Sequence, residues 1–229
     1  MLGGLLNNPF SFLVLLFALL SGVIVHEVAH GFVADRLGDP TARIMGRLTL
    51  NPLPHIDLVG SILVPLFLLI THTGMVFGWA KPVPFDAYNL RHPRRDAALI
   101  SLAGPVANLL FAALASILLR ISIMTGLMHG LAGIVIEAVS ISVILTNIQL
   151  AVFNLIPIAP LDGFKIVGGF LPEEAAREWY ALERYGIIFL MVLLFPLFGS
   201  VSPLSGVMFP VVNFLISLLV PGVGASGVI

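Results

Sequence analysis

"LLSGVIVHEVAHGFVADRLGD", residues 19–39, places His26, Glu27 and His30 within little more than one helical turn. The surrounding apolar run, residues 10–35, is long enough for a membrane-spanning helix, which needs roughly 20 such residues. An ionisable side chain near the centre of a span costs about 2.5–3.5 kcal/mol on insertion scales. Three such residues together therefore indicate a function, and their residue types favour a metal site.

The composition supports a lipid environment for most of the chain. Of its 229 residues, 59% are hydrophobic and 10% are charged, whereas a soluble domain carries about 25% charged residues. The net charge of −1 gives no support for nucleic-acid binding. Because the chain has no cysteine, a transition-metal site must use His, Asp or Glu ligands.

The apolar segments predict an all-α polytopic membrane protein with about five to six transmembrane helices. A run of 10 to 14 apolar residues is more typical of a re-entrant piece than of a span. The second run is short and contains Pro65, so we expect a re-entrant segment at 58–78. We expect a single membrane-embedded domain over 1–229, with a core at 10–170 and a C-terminal helical hairpin at 185–220. The apolar runs are 10–35, 58–70, 97–119, 131–153 and 185–220.

The basic residues predict the orientation. If 58–78 is re-entrant, ten of the eleven Lys and Arg residues lie on one side of the membrane, and Arg120 is the exception. Such a bias marks the cytoplasmic side, so we expect the N-terminus outside and the first helix to run inward. Residues 41–50 alternate between polar and apolar side chains, which predicts a short strand at the cytoplasmic surface. The Pro-rich stretch 78–90 is predicted as a second edge strand or a loop.

The HEVAH pattern has the spacing of a zinc site. His26 and His30, four residues apart, share one helix face, and Glu27 lies about 100° away around the helix. Two imidazoles and a carboxylate suit Zn²⁺ with an open position for water. The fourth predicted helix ends before Asp162, in "NLIPIAPLDG", and also runs inward. Asp162 is therefore the best candidate for the third ligand, although a plain surface turn explains it equally well.

These motifs together resemble the site-2 protease family of intramembrane zinc metalloproteases. HEVAH and "NLIPIAPLDG" are similar to that family's metal-binding motifs, and "SLAGPVANLL", residues 101–110, to its Gly-Pro-x-x-Asn helix. "GRLTLNPLPHIDLVGSILVP" and "FGWAKPVP" resemble the compact prokaryotic branch without PDZ or CBS domains. The resemblance covers roughly residues 15–170.

The resemblance implies a function and roles for individual residues. It implies cleavage of transmembrane segments of substrate proteins within the bilayer of a prokaryotic cell membrane, with the active site towards the cytoplasm. The resemblance also implies that an edge strand between the first and third helices would pair with an unwound substrate segment. The implied residues are His26, His30 and Asp162 as ligands of one catalytic zinc ion, Glu27 as general base, and Asn108 and Asn154 as substrate-binding or oxyanion-stabilising side chains.

Two questions stay open at the level of sequence. His55 and Asp57 directly precede the 58–78 segment, and they either form a lid or an extra zinc ligand or merely cap the next helix. The rival to a protease is a non-proteolytic zinc-binding membrane protein or an ion transporter, because intramembrane His and Asp also mark ion pathways. Glu27 argues against a passive site, which does not need a general base.

Overall fold

The computed structural model describes residues 8–63, 81–194 and 202–222, and within those ranges all regular structure is helical. Among the described residues, three helices are long and apolar enough to cross a membrane, as expected for a multi-pass membrane protein, while the count of five to six spans stays a prediction. The α-helices are α1 Pro9–Leu37, α2 Thr41–Ile44, α3 Pro93–Met124, α4 Gly130–Asn154, α5 Asp162–Phe170, α6 Glu173–Ala181, α7 Gly186–Leu194 and α8 Pro203–Leu219.

Local sequence signals define both ends of α1. The Asn8 side chain accepts hydrogen bonds from the N–H groups of Phe10 and Ser11, and Pro9 occupies the first turn. These are ordinary helix-start features. At the other end Gly38 adopts a left-handed conformation with φ of 111°, which glycine does without a Cβ penalty.

The bundle is built on α1, α3 and α4, which pack against one another, with α5 against α3 and α8 against α4. Small residues allow this close approach: Ala18 and Ala112 are fully buried. The main apolar core is formed by α1, α3, α4 and α8 and consists of the buried residues Ala18, Ala112, Ala115, Leu119, Val143, Ile144, Ile148, Val152, Val212, Ile216 and Val220.

The distribution of side chains around the bundle suits lipid rather than water. Large apolar residues such as Leu13, Phe17 and Leu110 point outward, while Asn108 and Asn147 are fully buried. A soluble domain rarely exposes so continuous an apolar surface, and lipid accepts it without cost. The polar groups inside therefore need internal partners, and those partners form the site described below.

The predicted strand at 41–50 is wrong: these residues form α2 followed by turns. Asp39 accepts hydrogen bonds from both the N–H and the hydroxyl of Thr41, which starts a helical turn directly after α1. Gly46 then reverses the chain with φ of 66°, and Arg47 donates from its backbone to Ala42. Polar and apolar residues do alternate along 41–50, but the hydrogen bonds to Asp39 favour a helical turn over a strand at the start of this segment.

The other segment predictions are met in part. Within the 58–78 segment, Leu58–Leu63 form a π-helix, and the remainder lies outside the described residues. Residues 81–86 have no regular secondary structure; Pro82 and Pro84 favour extended backbone at the residues before them, and Asp86 is extended. Ala87–Asn89 form a short 3₁₀ helix, so the loop alternative holds for the described part of this stretch, 81–90. In the C-terminal region α7 and α8 are present. The turn predicted between them, 198–206, lies partly outside the described residues, and its described part from Pro203 onward belongs to α8.

Candidate metal centre

Three side chains predicted to bind metal converge on one point. The Nε2 atoms of His26 and His30 lie 3.0 Å apart. Oδ2 of Asp162 lies 3.1 Å from the first and 3.3 Å from the second. No other group of His, Asp and Glu side chains in the described ranges meets the geometry for metal binding.

A glycine allows Asp162 to reach α1. Helix α4 ends at Asn154, and α5 begins at Asp162 after a Pro-containing turn. A Cβ on Gly163 would lie 2.3 Å from the carbonyl oxygen of Leu155, so only glycine fits against the end of α4. The Asp-Gly pair thus combines the ligand with the residue that permits the tight return.

Hydrogen bonds fix which nitrogen of each histidine faces the centre. Nδ1 of His30 lies 2.6 Å from the carbonyl oxygen of Ile100, which can only accept, so this nitrogen carries the proton. Nδ1 of His26 lies 2.7 Å from Oδ1 of Asn108. The donation of Nδ1–H to a carbonyl or amide oxygen is the usual way in which a protein orients a metal-binding imidazole.

The orientation of the Asn108 amide is itself determined by its partners. Its Nδ2 donates to the carbonyl oxygen of Gly22 at 2.9 Å and to Oδ1 of Asn147 at 2.7 Å. Asn147 in turn donates to the Val143 carbonyl oxygen at 2.8 Å. Because both amide hydrogens of Asn108 are used, its oxygen must face His26. Asn147 was not identified from the sequence, where a polar residue within α4 carries no recognisable motif.

When both imidazoles are neutral and carry their hydrogen on Nδ1, three acceptor atoms face one another with no hydrogen between them. Both imidazole Nε2 lone pairs and Asp162 Oδ2 share a small buried space, and Oδ2 makes no hydrogen bond. Such an arrangement is repulsive unless a cation occupies its centre. Two imidazole nitrogens and one carboxylate oxygen are a donor set suited to Zn²⁺, so these residues fit the ion.

The charge state of Asp162 suits this role. Burial alone would raise the pKa of Asp162, but when the imidazoles of His26 and His30 are protonated, their hydrogen bonds and positive charge outweigh that effect and lower the pKa to about 2. The carboxylate is therefore ionised at neutral pH and available as a ligand.

Gly104 packs directly on the histidine rings. A Cβ at this position would lie 2.5 Å from Nε2 of His30 and 2.5 Å from Cε1 of His26. Atoms do not approach so closely, so any side chain would displace the rings. The glycine of the Gly-Pro-x-x-Asn motif thus packs against the two imidazoles.

Glu27 is held by the extended segment 81–86. The N–H of Val83 donates to Oε2 of Glu27 at 2.8 Å. That segment is fixed at its far end by Asp39, which is fully buried and accepts from Asp86 N–H at 2.7 Å and Asn89 Nδ2 at 2.8 Å. Asp39 was missed from the sequence, where it stands in an ordinary Gly-Asp-Pro helix stop.

A cavity of about 200 Å³ lies beside the centre. Asn154 lines it, whereas Asn108 is fully buried behind His26. The two asparagines thus occupy different positions, although the resemblance implied similar roles for both. The cavity is lined by His26, Glu27, His30, Pro82, Val83, Phe85, Ile100, Ser101, Asn154, Pro160, Asp162 and Lys165.

His55 and Asp57 each make hydrogen bonds away from the metal centre. His55 is buried, its Nε2 lies 2.9 Å from the Thr49 carbonyl oxygen, and its own carbonyl accepts from Lys81 N–H at 2.9 Å. Asp57 Oδ1 accepts from Gly60 N–H at 2.6 Å, the pattern of a helix cap. Neither joins the His26–His30–Asp162 group.

Comparison with known proteins decides the family. A family model described as peptidase family M50 matches residues 121–195. The chain is 36% identical over 207 residues to "Putative zinc metalloprotease YwhC" of Bacillus subtilis (strain 168), an alignment that covers 87% of this chain and 85% of that protein. The chain belongs to peptidase family M50. The predicted membership of the site-2 protease family is thereby confirmed.

Further relatives of this M50 peptidase agree. It is 30% identical over 200 residues to "Putative zinc metalloprotease Rip2" of Mycobacterium tuberculosis (strain ATCC 25618 / H37Rv), covering 87% of the chain and 71% of the relative. The protein of the same name from Mycolicibacterium smegmatis is 30% identical over 186 residues, with 80% and 67% covered. No solved structure matches the chain. The chain is a zinc metalloprotease of family M50.

Proposed function

We propose that this M50 peptidase is an intramembrane endopeptidase that hydrolyses peptide bonds in transmembrane segments of other membrane proteins. The observation that carries the proposal is the convergence of His26, His30 and Asp162 inside a bundle of helices suited to span lipid. A hydrolytic site built from membrane helices acts most directly on a chain that is itself in the membrane.

His26, His30 and Asp162 would hold the zinc ion. When bound, zinc lowers the pKa of a coordinated water to about 7 and polarises a carbonyl oxygen. Glu27 lines the same cavity, and we assign to it the role of general base that takes the proton from the attacking water and passes it to the leaving amine. The N–H of Val83 holds this carboxylate in place.

The two asparagines have different proposed roles. Asn108 orients the His26 ring, since its amide is fully used by Gly22, Asn147 and His26. Asn154 faces the cavity and donates from Nδ2 to the Leu150 carbonyl oxygen at 3.0 Å. Its side-chain oxygen is then the polar group that can contact a substrate backbone.

The extended segment 81–86 is a candidate for pairing with a substrate strand. It would offer the substrate mainly hydrogen-bond acceptors and few donors. The N–H groups of Lys81, Val83 and Asp86 already donate to other parts of the protein, and Pro82 and Pro84 have none. A substrate strand lying here would therefore donate mainly to carbonyl groups of the segment and could accept a hydrogen bond from the N–H of Phe85. Pairing of this kind satisfies an unwound substrate backbone, which lipid would otherwise penalise.

The fold supports the proposed orientation. Asp39, directly after α1, binds Asp86 and Asn89, which precede α3. The basic residues at 36–47 and 91–95 therefore lie at the same end of the bundle, whatever path the chain takes between them. With the positive-inside rule, this end is cytoplasmic. The metal centre lies towards it, since Asp162 begins α5 beyond the inner end of α4.

The test compares wild type with Glu27→Gln on a purified model transmembrane substrate, with zinc content measured in both. We expect one zinc per chain in each protein and a loss of cleavage of about 10²–10⁴-fold in the variant. If both proteins bind zinc and neither cleaves any of a broad substrate panel, the non-proteolytic zinc-binding alternative holds instead.

A further inference from the structure

Lys165 is a cation inside the cavity that the zinc chemistry does not use. It lies three residues after Asp162 on α5, and so on the same face of that helix one turn further along. Lys165 lines the cavity together with Glu27 and the metal ligands. Its Nζ atom lies 5.5 Å from the centre of the Phe85 ring.

Lys165 has no carboxylate partner among the residues that the structure describes. In the described part of the chain the ion pairs are His26–Asp162, His30–Asp162 and Arg43–Asp35, and no hydrogen bond involves the Lys165 ammonium. A half-buried ammonium that rests only against an aromatic face retains most of its capacity to bind an anion. The Phe85 contact keeps the amine over the cavity instead of letting it extend into water.

The charges around the cavity favour a negative partner. Glu27 and Asp162 contribute two negative charges, which the charge of a divalent ion balances. Lys165 then leaves the occupied site net positive. Since water is partly excluded there, a carboxylate near this ammonium interacts more strongly than it would at an open surface.

We propose that Lys165 binds a carboxylate of the substrate beside the scissile bond, and so determines specificity. The carboxylate is either an Asp or Glu side chain on the cytoplasmic flank of the substrate or the C-terminal carboxylate that hydrolysis creates. This inference rests on the proposed endopeptidase function and deepens it. An Asp or Glu source would define a substrate class, segments with an acidic residue close to the cleavage point, whereas a product carboxylate would make Lys165 a site that holds the new C-terminus.

The first experiment uses three model transmembrane substrates that differ at one flanking position, which is Glu, Gln or Lys. Wild type should cleave the Glu substrate with kcat/KM roughly tenfold above the Gln substrate, as expected for one charged hydrogen bond. Lys165→Gln should bring the two values together, Lys165→Arg should keep the preference, and Lys165→Glu should shift it towards the Lys substrate. Arg177→Gln, on α6, is the matched control and should keep the wild-type preference.

The second experiment distinguishes the two sources of the carboxylate and requires no turnover. Binding of an N-terminal product peptide to the zinc-loaded protein is measured with a free C-terminus and with a C-terminal amide. If Lys165 recognises the product carboxylate, wild type should bind the free acid about tenfold more tightly, and Lys165→Gln should lose that difference.

The outcomes separate the two levels of the proposal. If wild type cleaves no substrate of the panel, the endopeptidase function fails. If wild type cleaves, but Lys165→Gln changes neither the Glu-to-Gln ratio nor the acid-to-amide ratio, the role of Lys165 is wrong and the endopeptidase function stands. The ratios also exclude a merely structural effect, because misfolding lowers both members of a pair alike.

Discussion

Nδ1 of His26 lies 2.7 Å from Oδ1 of Asn108, and this contact turns Nε2 of the ring towards Asp162. Without the amide, His26 can adopt the other tautomer or rotate. We therefore expect Asn108→Ala to lower zinc affinity by about 10–100-fold, the usual cost of losing a partner that orients a metal-binding histidine. Zinc content after dialysis against a graded series of chelator concentrations measures the loss.

Asn154→Ala is the control for that substitution. Asn154 lines the cavity but contacts no proposed ligand by hydrogen bond, since its amide donates to Leu150. Its zinc content should match wild type. Equal zinc retention by Asn108→Ala and Asn154→Ala would contradict the orienting role of Asn108.

Gly104→Ala should damage the metal centre through a single methyl group. The new Cβ would lie 2.5 Å from Nε2 of His30, and so the ring or the helix must move. We expect loss of zinc binding together with a lower melting temperature in detergent. Gly206→Ala is the matched control, because a Cβ there meets nothing within 4 Å. Alanine is more favourable than glycine inside a helix by up to about 1 kcal/mol, so this variant should be no less stable than wild type. Zinc binding by Gly104→Ala at the wild-type level would contradict this prediction. It would show that α3 can move away from the histidines of α1 at little cost.

Asp39 should make stability depend on pH in a defined direction. Burial alone would raise the pKa of Asp39, but hydrogen bonds from Thr41, Asn89 and the Asp86 backbone outweigh it and lower the pKa below its ordinary value. A lowered folded-state pKa contributes stability that is complete above the unfolded value of about 4 and is lost as pH falls through the folded value.

Asp39→Asn removes that titration and one acceptor oxygen. We expect the difference in melting temperature between wild type and variant to be constant from pH 7 down to about 5 and to shrink as pH falls below about 4. Thermal unfolding in detergent across this range is the measurement. A difference that widens in acid would reverse the assigned sign.

His55→Ala should leave zinc stoichiometry unchanged and reduce stability. The ring lies outside the metal-binding group and contacts the Thr49 carbonyl oxygen. Its removal breaks this partly buried hydrogen bond and empties the buried space that the ring fills, at a cost of about 1 kcal/mol or more. Metal analysis and thermal unfolding of the same sample separate the two effects. Loss of zinc without loss of stability would restore the extra-ligand hypothesis.

The positions of the site residues could be predicted where spacing or chain direction fixes them. His26 and His30 share a helix face by arithmetic, and Asp162 follows from a fourth helix that runs the same way as the first. The histidine tautomers could not be predicted, because they depend on Asn147 and Ile100, and contacts between helices leave no mark in one sequence. The strand at 41–50 was mispredicted because side-chain alternation says nothing about the cap that Asp39 provides.

The separation of the ligands along the chain has a consequence for biosynthesis. His26 lies on α1, and Asp162 follows more than 130 residues later along the chain. During insertion, α1 must therefore enter the bilayer with His26, Glu27 and His30 lacking both their carboxylate partner and the amide of Asn108. We expect α1 to be unstable in the bilayer until the later helices pack against it. Zinc should bind only after synthesis has passed Asp162.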